Sequence, residues 1–303
     1  MPSAYRDGHY PPFSFPSEFL AQLGRLSLRH RSRTRSNSPG EAHSRYRGAS
    51  IEFADHRAYS PGDDLRFLDW NVLARLDRPY TKSFYEEQDL IVEIVIDVSE
   101  SMGFGHPSKF DTARLIMGGL AWVTLAGHDR TAVHPVRNGI VESGPDGGRP
   151  SRGKPASRRI LDHIVGLECA GETDLGRACR RLAARSCRSR CIVVISDFFD
   201  PGDWRGGLRA LAARGHRIFL LQVLSDEEHH PSIDGDLSLV DAETGSAVDV
   251  TVDAVLLARY AQALESHSRN LDQLARALGG GFLTVTSAAS PLQTVSRVLE
   301  RIG

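Results

Sequence analysis

The sequence predicts an α/β protein built on a doubly wound, mostly parallel sheet. From about residue 89 onward, short β-branched runs alternate with segments long enough to form helices, which is typical of a parallel sheet covered on both faces. The runs Leu90–Ile96 and Cys191–Ile195 are almost continuously apolar, as expected for strands buried on both faces. A length of 303 residues allows one large α/β domain and a smaller one.

The composition is that of an ordinary globular protein, with 41% hydrophobic and 25% charged residues. A formal net charge of -1 gives no overall field that would favour nucleic acid or an acidic membrane surface. The first residues lack the pattern of a signal peptide, and no run approaches the roughly 20 apolar residues that span a bilayer. The four cysteines form no CxxC pair, so we expect reduced thiols and a cytoplasmic protein.

The N-terminal part is expected to hold a tail and a smaller segment. Residues 1–24 look like a tail with a short helix over about Ser17–Leu23, and residues 25–88 like an N-terminal β-rich segment. Residues 25–40 are rich in Arg and Ser and are interpreted as a solvated strand or linker. A nucleic-acid-binding arm over residues 25–35 is the alternative, although no aromatic residues interleave there to stack on bases. Further along are expected a short helix or irregular cover over Leu65–Leu76 and a strand over Arg78–Tyr85.

Residues 89–303 are expected to form the main domain. Its predicted helices are about Lys109–Ala126, Ser157–Leu167, Leu175–Arg185, Trp204–Arg214, Asp253–Leu278 and Pro291–Arg301. Besides the two apolar runs, its predicted strands are Thr131–Val136, Arg217–Val223 and Phe282–Val285. Residues 138–155 are rich in Gly, Pro and charge and look like an exposed loop. Residues 225–252 break the alternation, and short strands around the turn signal Glu243–Ser246 predict an inserted β-hairpin.

Oxygen-bearing side chains follow two of the buried strands and precede one helix. One strand ends at Asp97, with Ser99 and Ser101 just after it, another ends before Asp197, and Thr173 precedes a helix. Because ligands bind beyond the carboxyl ends of parallel strands, we expect these side chains to meet at one edge of the sheet. Mg²⁺ prefers such oxygen ligands and keeps several waters. We therefore predict one Mg²⁺ held by these five residues, and Mn²⁺ would accept the same ligands.

Few of these ligands are anionic, so the ion would keep an open position for a carboxylate from another molecule. The alternative interpretation is that Asp97 and Asp197 are helix N-caps or turn acids, and that Thr173 caps the next helix. Glu100 is interpreted as a solvated neighbour of the ion rather than a ligand. Glu100 and Glu172 are candidates for contacts with a partner.

Two sets of motifs resemble known families. Asp-x-Ser-x-Ser at a strand end, followed by a Thr loop and an Asp, resembles the metal-ion-dependent adhesion site of von Willebrand factor A-like domains. Closely spaced motifs before the sheet look like the signature of the domain-of-unknown-function fifty-eight family of bacteria and archaea: Arg47-Gly48, Glu52-Phe53, Arg57-x-Tyr59, Pro61-Gly62-Asp63-Asp64-x-Arg66, Asp69-Trp70 and Ala74-Arg75. The resemblance covers about residues 25–303 and implies a von Willebrand factor A-like, Rossmann-type fold.

Members of this family are typically encoded beside MoxR-type AAA+ ATPases, so the resemblance implies such an ATPase as partner. The chain is then expected to be a non-enzymatic adaptor or co-chaperone whose Mg²⁺ accepts an Asp or Glu of the partner. A metal-dependent, phosphatase-like hydrolase is the alternative, but such strand ends usually carry a second Asp where this chain has Ser99. In the signature segment, arginines are expected to pair with carboxylates. The alternatives are a docking surface with Trp70 as its anchor and a phosphate site formed by the arginines.

Overall fold

The computed structural model describes residues 13–36, 51–86, 90–185 and 190–302. The chain divides into two compact units, a larger one of residues 1–37 and 90–303 and a smaller one of residues 38–89. The predicted tail up to residue 12, the signature pair Arg47-Gly48 and Cys187 lie outside the described residues.

Helices and strands alternate through most of the described chain. The helices are α1 (Ser17–Ser36), α2 (Trp70–Leu76), α3 (Lys109–Ala126), α4 (Lys154–Val165), α5 (Leu175–Arg185), α6 (Trp204–Ala213), α7 (Asp226–His229), α8 (Ala254–Ala277) and α9 (Pro291–Ile302). The strands are β1 (Ile51–Ala58), β2 (Tyr80–Glu86), β3 (Ile91–Asp97), β4 (Arg130–Arg137), β5 (Ile140–Val141), β6 (Ser151–Arg152), β7 (Cys191–Ser196), β8 (Arg217–Leu224), β9 (Gly235–Val240), β10 (Ala247–Val252) and β11 (Gly281–Thr286).

A seven-stranded sheet forms the centre of the larger unit. Its strand order is β11-β8-β7-β3-β4-β5, and β6 also pairs with β4. The pairs from β11 to β4 are all parallel, whereas β5 and β6 run antiparallel to β4. The predicted α/β fold with a mostly parallel sheet is therefore confirmed.

Helices cover both faces of this sheet, which makes the fold doubly wound. One apolar core lies against α1, α3, α4 and α9, and a second core against α5, α6 and α8. Along β3, Ile94 and Ile96 belong to the first core and Val95 to the second, because successive side chains of a strand point to opposite faces. This explains the continuous apolar run. No helix within the described ranges is both long and apolar enough to cross a membrane.

The Arg-rich segment differs from its prediction. Residues 25–36 were expected as a strand or linker of the β-rich segment, but they continue α1 as far as Ser36. Phe19, Leu23 and Leu26 recur at helical spacing and pack in the first core, and arginine is itself a good helix former. The helix therefore belongs to the larger unit, and the boundary lies near residue 37 rather than at residue 24.

The smaller unit is an antiparallel pair, β1 and β2, with a short 3-10 helix (Leu65–Phe67) and α2 between them. Asp69 caps the first turn of α2, and its carboxylate hydrogen-bonds His56 Nε2 at 2.9 Å. Arg66 pairs with Asp64 at the surface, with 2.6 Å between Nη2 and Oδ2. Arginine–carboxylate pairing is thus present in this unit, whereas Asp69 serves as a helix cap.

Two segments interrupt the β/α alternation of the larger unit. Residues 138–155, expected as an exposed loop, instead contain β5 and β6, which supply backbone partners to the side of β4 that does not pair with β3. The hairpin predicted within residues 225–252 is present as β9 and β10, with Val240 opposite Ala247 next to the turn.

Three of the four cysteines lie within the described ranges, and Cys169, Cys179 and Cys191 are free thiols. Burial raises the pKa of Cys179 to about 12 and that of Cys191 to about 11. Both thiols therefore stay protonated near neutral pH, where the thiolate would be the nucleophile or metal ligand.

Candidate metal centre

Two neighbouring parallel strands bring acidic residues to one edge of the sheet. β3 ends at Asp97 and β7 at Ser196, since Ile96 lies opposite Ile195 in the register. Asp197 follows directly after β7. Asp97 and Asp197 are only 1% and 2% exposed, so burial removes both residues almost completely from water.

The carboxylate of Asp97 is the centre of a hydrogen-bond cluster. Its Oδ1 accepts from the backbone N–H of Ser99 at 3.0 Å. Its Oδ2 accepts from the hydroxyl of Thr173 at 3.0 Å and from the hydroxyl of Ser196 at 2.8 Å. The first strand end, the second strand end and the threonine loop therefore converge on one carboxylate.

The two serines after β3 add hydroxyl oxygens to this cluster. The Oγ atoms of Ser99 and Ser101 lie 3.1 Å apart, within hydrogen-bond distance. Ser99 is fully buried, whereas Ser101 and Thr173 are partly exposed. The cluster is thus closed towards the protein core and open to solvent beside Ser101 and Thr173.

Backbone hydrogen bonds fix the threonine loop against the end of β3. Ala170 N donates to Val98 O and Glu100 N donates to Gly171 O, both at 2.9 Å. The loop also exchanges two bonds with Asn138: Asn138 N donates to Glu172 O, and Glu172 N donates to Asn138 Oδ1, both at 2.8 Å. The backbone just before Thr173 is therefore held by the end of β3 on one side and by Asn138 on the other.

The surroundings of Asp97 disfavour the charged form of its carboxylate. Burial and, after it, the charge of Asp197 raise the pKa of Asp97 to about 6, although hydrogen bonds from Ser99 and Ser196 act in the opposite direction. Burial disfavours a charged carboxylate, and a second carboxylate nearby disfavours it further. A cation bound at this place would offset that charge.

A buried lysine neutralises part of the charge. The Nζ of Lys109, at the first position of α3, donates to Asp197 Oδ2 and to Glu228 Oε1, both at 2.6 Å. The Lys109 side chain is 1% exposed. Its burial lowers the pKa, but the two carboxylates outweigh this effect, so the pKa of Lys109 is raised. Lys109 therefore stays protonated as an internal partner of Asp197.

The donors of this centre fit a hard divalent cation. Asp97 and Asp197 supply carboxylate oxygens, and Ser99, Ser101 and Thr173 supply hydroxyl oxygens, which is the chemistry that Mg²⁺ selects. Among the residues that the structure describes, no group of three or more His, Cys, Asp or Glu is placed to hold a metal. This centre contains two such residues, so an ion there would depend on the hydroxyls.

The structure brings Asp97, Ser99, Ser101 and Thr173 into direct contact, and it places Asp197 on the adjoining strand with its Oδ2 on Lys109. Of the residues proposed for partner contacts, Glu100 and Glu172 are exposed beside the centre. Trp70 is 66% exposed in the smaller unit.

Sequence reasoning does not identify four further residues at the centre: Ser196, Lys109, Glu228 and Glu243, the last of which contacts the backbone of Thr173. Ser196 could be found from sequence, because it is a hydroxyl residue at the same strand end as Asp197. The other three lie on elements far along the chain, and their spacing carries no signal.

The fold and this cluster define an α/β protein whose parallel sheet gathers two carboxylates and several hydroxyls at its carboxyl edge. The chain belongs to the DUF58 family, described as "Protein of unknown function DUF58", whose model matches residues 55–270.

Two mycobacterial proteins are among its relatives. The chain is 27% identical over 252 residues to "Uncharacterized protein Rv1480" of Mycobacterium tuberculosis strain H37Rv, an alignment that covers 82% of this chain and 79% of that protein. It is 35% identical over 127 residues to "Uncharacterized protein MAV169" of Mycobacterium avium, covering 42% of this chain and 75% of that protein.

Similar solved structures include the conserved hypothetical protein BatB from Bacteroides thetaiotaomicron, with a TM-score of 0.44 and 14% identity over 70% of this chain and 98% of that one. An aerotolerance-related membrane protein from Bacteroides fragilis has a TM-score of 0.47 and 17% identity over 70% of this chain and 98% of that one.

Proposed function

We propose that this chain is a metal-dependent protein-binding module of the von Willebrand factor A-like type. It holds one Mg²⁺, or Mn²⁺, with Asp97, Ser99, Ser101, Thr173 and Asp197. The observation that carries the proposal is the 3.0 Å contact between the Thr173 hydroxyl and Asp97 Oδ2, which joins a loop to a strand end 76 residues away. Such convergence of hydroxyl and carboxylate oxygens is what a hard cation needs.

The chemistry of these ligands supports binding rather than catalysis. Three of the five are neutral hydroxyls, so the bound ion keeps much of its positive charge and attracts an additional carboxylate. The opening beside Ser101 and Thr173 gives an acidic side chain of another protein a route to the ion. Near the centre, the position two residues after Asp97 is Ser99 rather than the second aspartate that a phosphatase-like hydrolase would use.

The proposed partner is a MoxR-type AAA+ ATPase, with this chain as its adaptor or co-chaperone in the cytoplasm. Membership of the DUF58 family supports this part of the proposal, because the resemblance to that family implies such an ATPase as partner. An acidic side chain on the ATPase would then be the group that approaches the ion.

Calorimetric titration of Mg²⁺ into the full chain tests the metal site. We expect the wild-type protein to bind one ion and Asp97→Asn to lose detectable binding, because the central carboxylate is removed. Asp200→Asn is the matched control: Asp200 is also a buried aspartate after β7, and it accepts from Leu175 N and Gly202 N. Unchanged Mg²⁺ affinity in Asp97→Asn would refute the site.

A second experiment tests the partner. Purified MoxR-type ATPase from the same organism is captured on the immobilised chain with Mg²⁺ and with EDTA. We expect capture with Mg²⁺ that is lost in EDTA and in the double variant Ser99→Ala/Ser101→Ala. Equal recovery under all three conditions would show that the metal is not the docking element.

A further inference from the structure

The β9–β10 hairpin contacts the candidate metal centre through a glutamate at its tip. The Oε2 of Glu243 accepts a hydrogen bond from the backbone N–H of Thr173 at 3.0 Å. The hydroxyl of the same threonine donates to Asp97 Oδ2. A carboxylate of this chain therefore stands beside the open side of the centre, where the proposed function would place a carboxylate of the partner.

The turn that carries Glu243 is internally fixed. Asp241 Oδ1 accepts from Glu243 N at 2.9 Å and from Thr244 N at 2.7 Å, and Ser246 O accepts from Asp241 N at 2.8 Å. Gly245 completes the turn with a φ of +69°, a conformation that glycine adopts without strain. These bonds hold the backbone of Glu243, so its side chain is presented from a rigid tip.

The strands behind this tip are held less firmly. β9 and β10 pair with each other and form a two-stranded sheet separate from the central one. Val240 and Val248 are 66% and 64% exposed. A two-stranded hairpin with so little buried apolar surface is marginally stable by itself, so little packing holds the arm in place. The contact of Glu243 with Thr173 is thus an attachment that another group could replace.

We infer that Glu243 is an internal competitor for the partner's acidic side chain. This inference rests on the proposed function. Binding of the partner would displace the hairpin tip from the Thr173 loop. A released β9–β10 hairpin would then indicate that the partner occupies the metal centre. Loss of the Glu243 carboxylate would leave the site uncovered and would strengthen binding of an acidic ligand.

The first test measures the contact without metal or partner. Hydrogen exchange at the Thr173 amide, followed by NMR in EDTA, is compared among the wild type, Glu243→Ala and Asp249→Ala. Asp249 is an exposed carboxylate on the same hairpin, away from the tip. Hydrogen bonds to charged groups are strong, so we expect exchange roughly tenfold faster in Glu243→Ala and unchanged in Asp249→Ala. Equal rates in all three proteins would overturn the inference.

The second test uses a blocked peptide of residues 239–248, which contains the turn and Glu243, as the acidic ligand. In the presence of Mg²⁺, we expect Glu243→Ala protein to bind this peptide roughly tenfold more tightly than the wild type or Asp249→Ala, because no internal carboxylate competes. A peptide with Gln in place of the glutamate should not bind. Equal affinities for the three proteins, or binding of the Gln peptide, would overturn the inference.

The two proposals fail in different ways. If calorimetry shows no Mg²⁺ binding to the wild type, the proposed function falls and the competitor role of Glu243 falls with it. If the wild type binds Mg²⁺ but Glu243→Ala behaves like Asp249→Ala in both tests, the metal-dependent module stands and only the internal competitor is refuted.

Discussion

At the scale of single residues, Asp97 determines how the metal-free centre responds to pH. Its pKa rises from 3.8 to about 6 on folding, so the folded protein holds this proton more tightly than the unfolded chain. Between these two values the folded state binds more protons, and stability therefore falls as the pH rises. Above pH 6 the full penalty of the charged form remains unless a cation offsets it.

We therefore predict that Asp97→Asn stabilises the metal-free protein at pH 8, by on the order of 2–3 kcal/mol. Asn keeps an oxygen for Ser99 N, and its amide can donate to the hydroxyls of Thr173 and Ser196. Urea unfolding in EDTA should show this difference at pH 8 and its disappearance towards pH 4. A difference between the two proteins that does not vary with pH would contradict the assignment.

Lys109 gives a second prediction at this scale. Lys109→Met leaves Asp197 and Glu228 without their buried cation, and breaking a buried ion pair in this way typically costs about 3–5 kcal/mol. The free energy of unfolding at pH 8 should fall accordingly. Adding Glu228→Gln should restore part of the lost stability, because it removes one of the two unpaired charges. Gln still accepts a hydrogen bond from Ser225 N, as Glu228 does. A double variant no more stable than Lys109→Met would argue against the charge interaction.

At the scale of elements, the loop between α4 and α5 controls where Thr173 lies. Gly171 has a φ of +74°, and a Cβ at this position would lie 2.9 Å from Asn138 Oδ1, the atom that accepts from Glu172 N. A larger residue here would strain the backbone and push the loop away from β4. The glycine thus allows the close approach that positions the threonine.

We predict that Gly171→Ala lowers the free energy of unfolding by about 1–3 kcal/mol and weakens Mg²⁺ binding. Gly147→Ala is the control, because Gly147 has a φ of +68° but open space around its added Cβ. Gly147→Ala should lose stability through backbone strain alone, and calorimetry should show that its Mg²⁺ affinity is unchanged. Equal Mg²⁺ affinities in the two variants would show that the position of the Thr173 loop does not affect metal binding.

The elements show what sequence alone can predict. The buried strands are predictable because Ile94, Val95 and Ile96 pack on two opposite faces of the sheet. The placement of Asp97 and Asp197 at one edge follows from the rule that the carboxyl ends of parallel strands meet there. The contact of Lys109 with Asp197 spans 88 residues and belongs to no periodic pattern. The length of α1 is hard to predict because an Arg- and Ser-rich stretch is typical of a linker, although arginine is also a good helix former.

At the scale of the whole molecule, α1 belongs to the core of the larger unit although the smaller unit lies between them in the sequence. Leu23 is fully buried, and its Cδ2 would be 3.3 Å from a Cβ added at Gly119 of α3. The larger unit is therefore assembled from two separated stretches of chain.

We expect Leu23→Ala to lower the free energy of unfolding by about 2–5 kcal/mol, the usual range for a cavity left by a buried leucine. Leu26→Ala, at a partly buried position of the same helix, should lose clearly less. Urea denaturation of the full chain measures both. A loss below about 1 kcal/mol for Leu23→Ala would mean that the sheet does not depend on α1.

The Lys109 bridge also bears on the order of events when the protein is made. Because Lys109 is a counter-charge tethered to the same chain, the buried carboxylate of Asp197 is neutralised without magnesium. Under the proposed function, the metal would then enter and leave a finished scaffold, and the fraction of loaded molecules would follow the free magnesium concentration instead of being decided once, during synthesis.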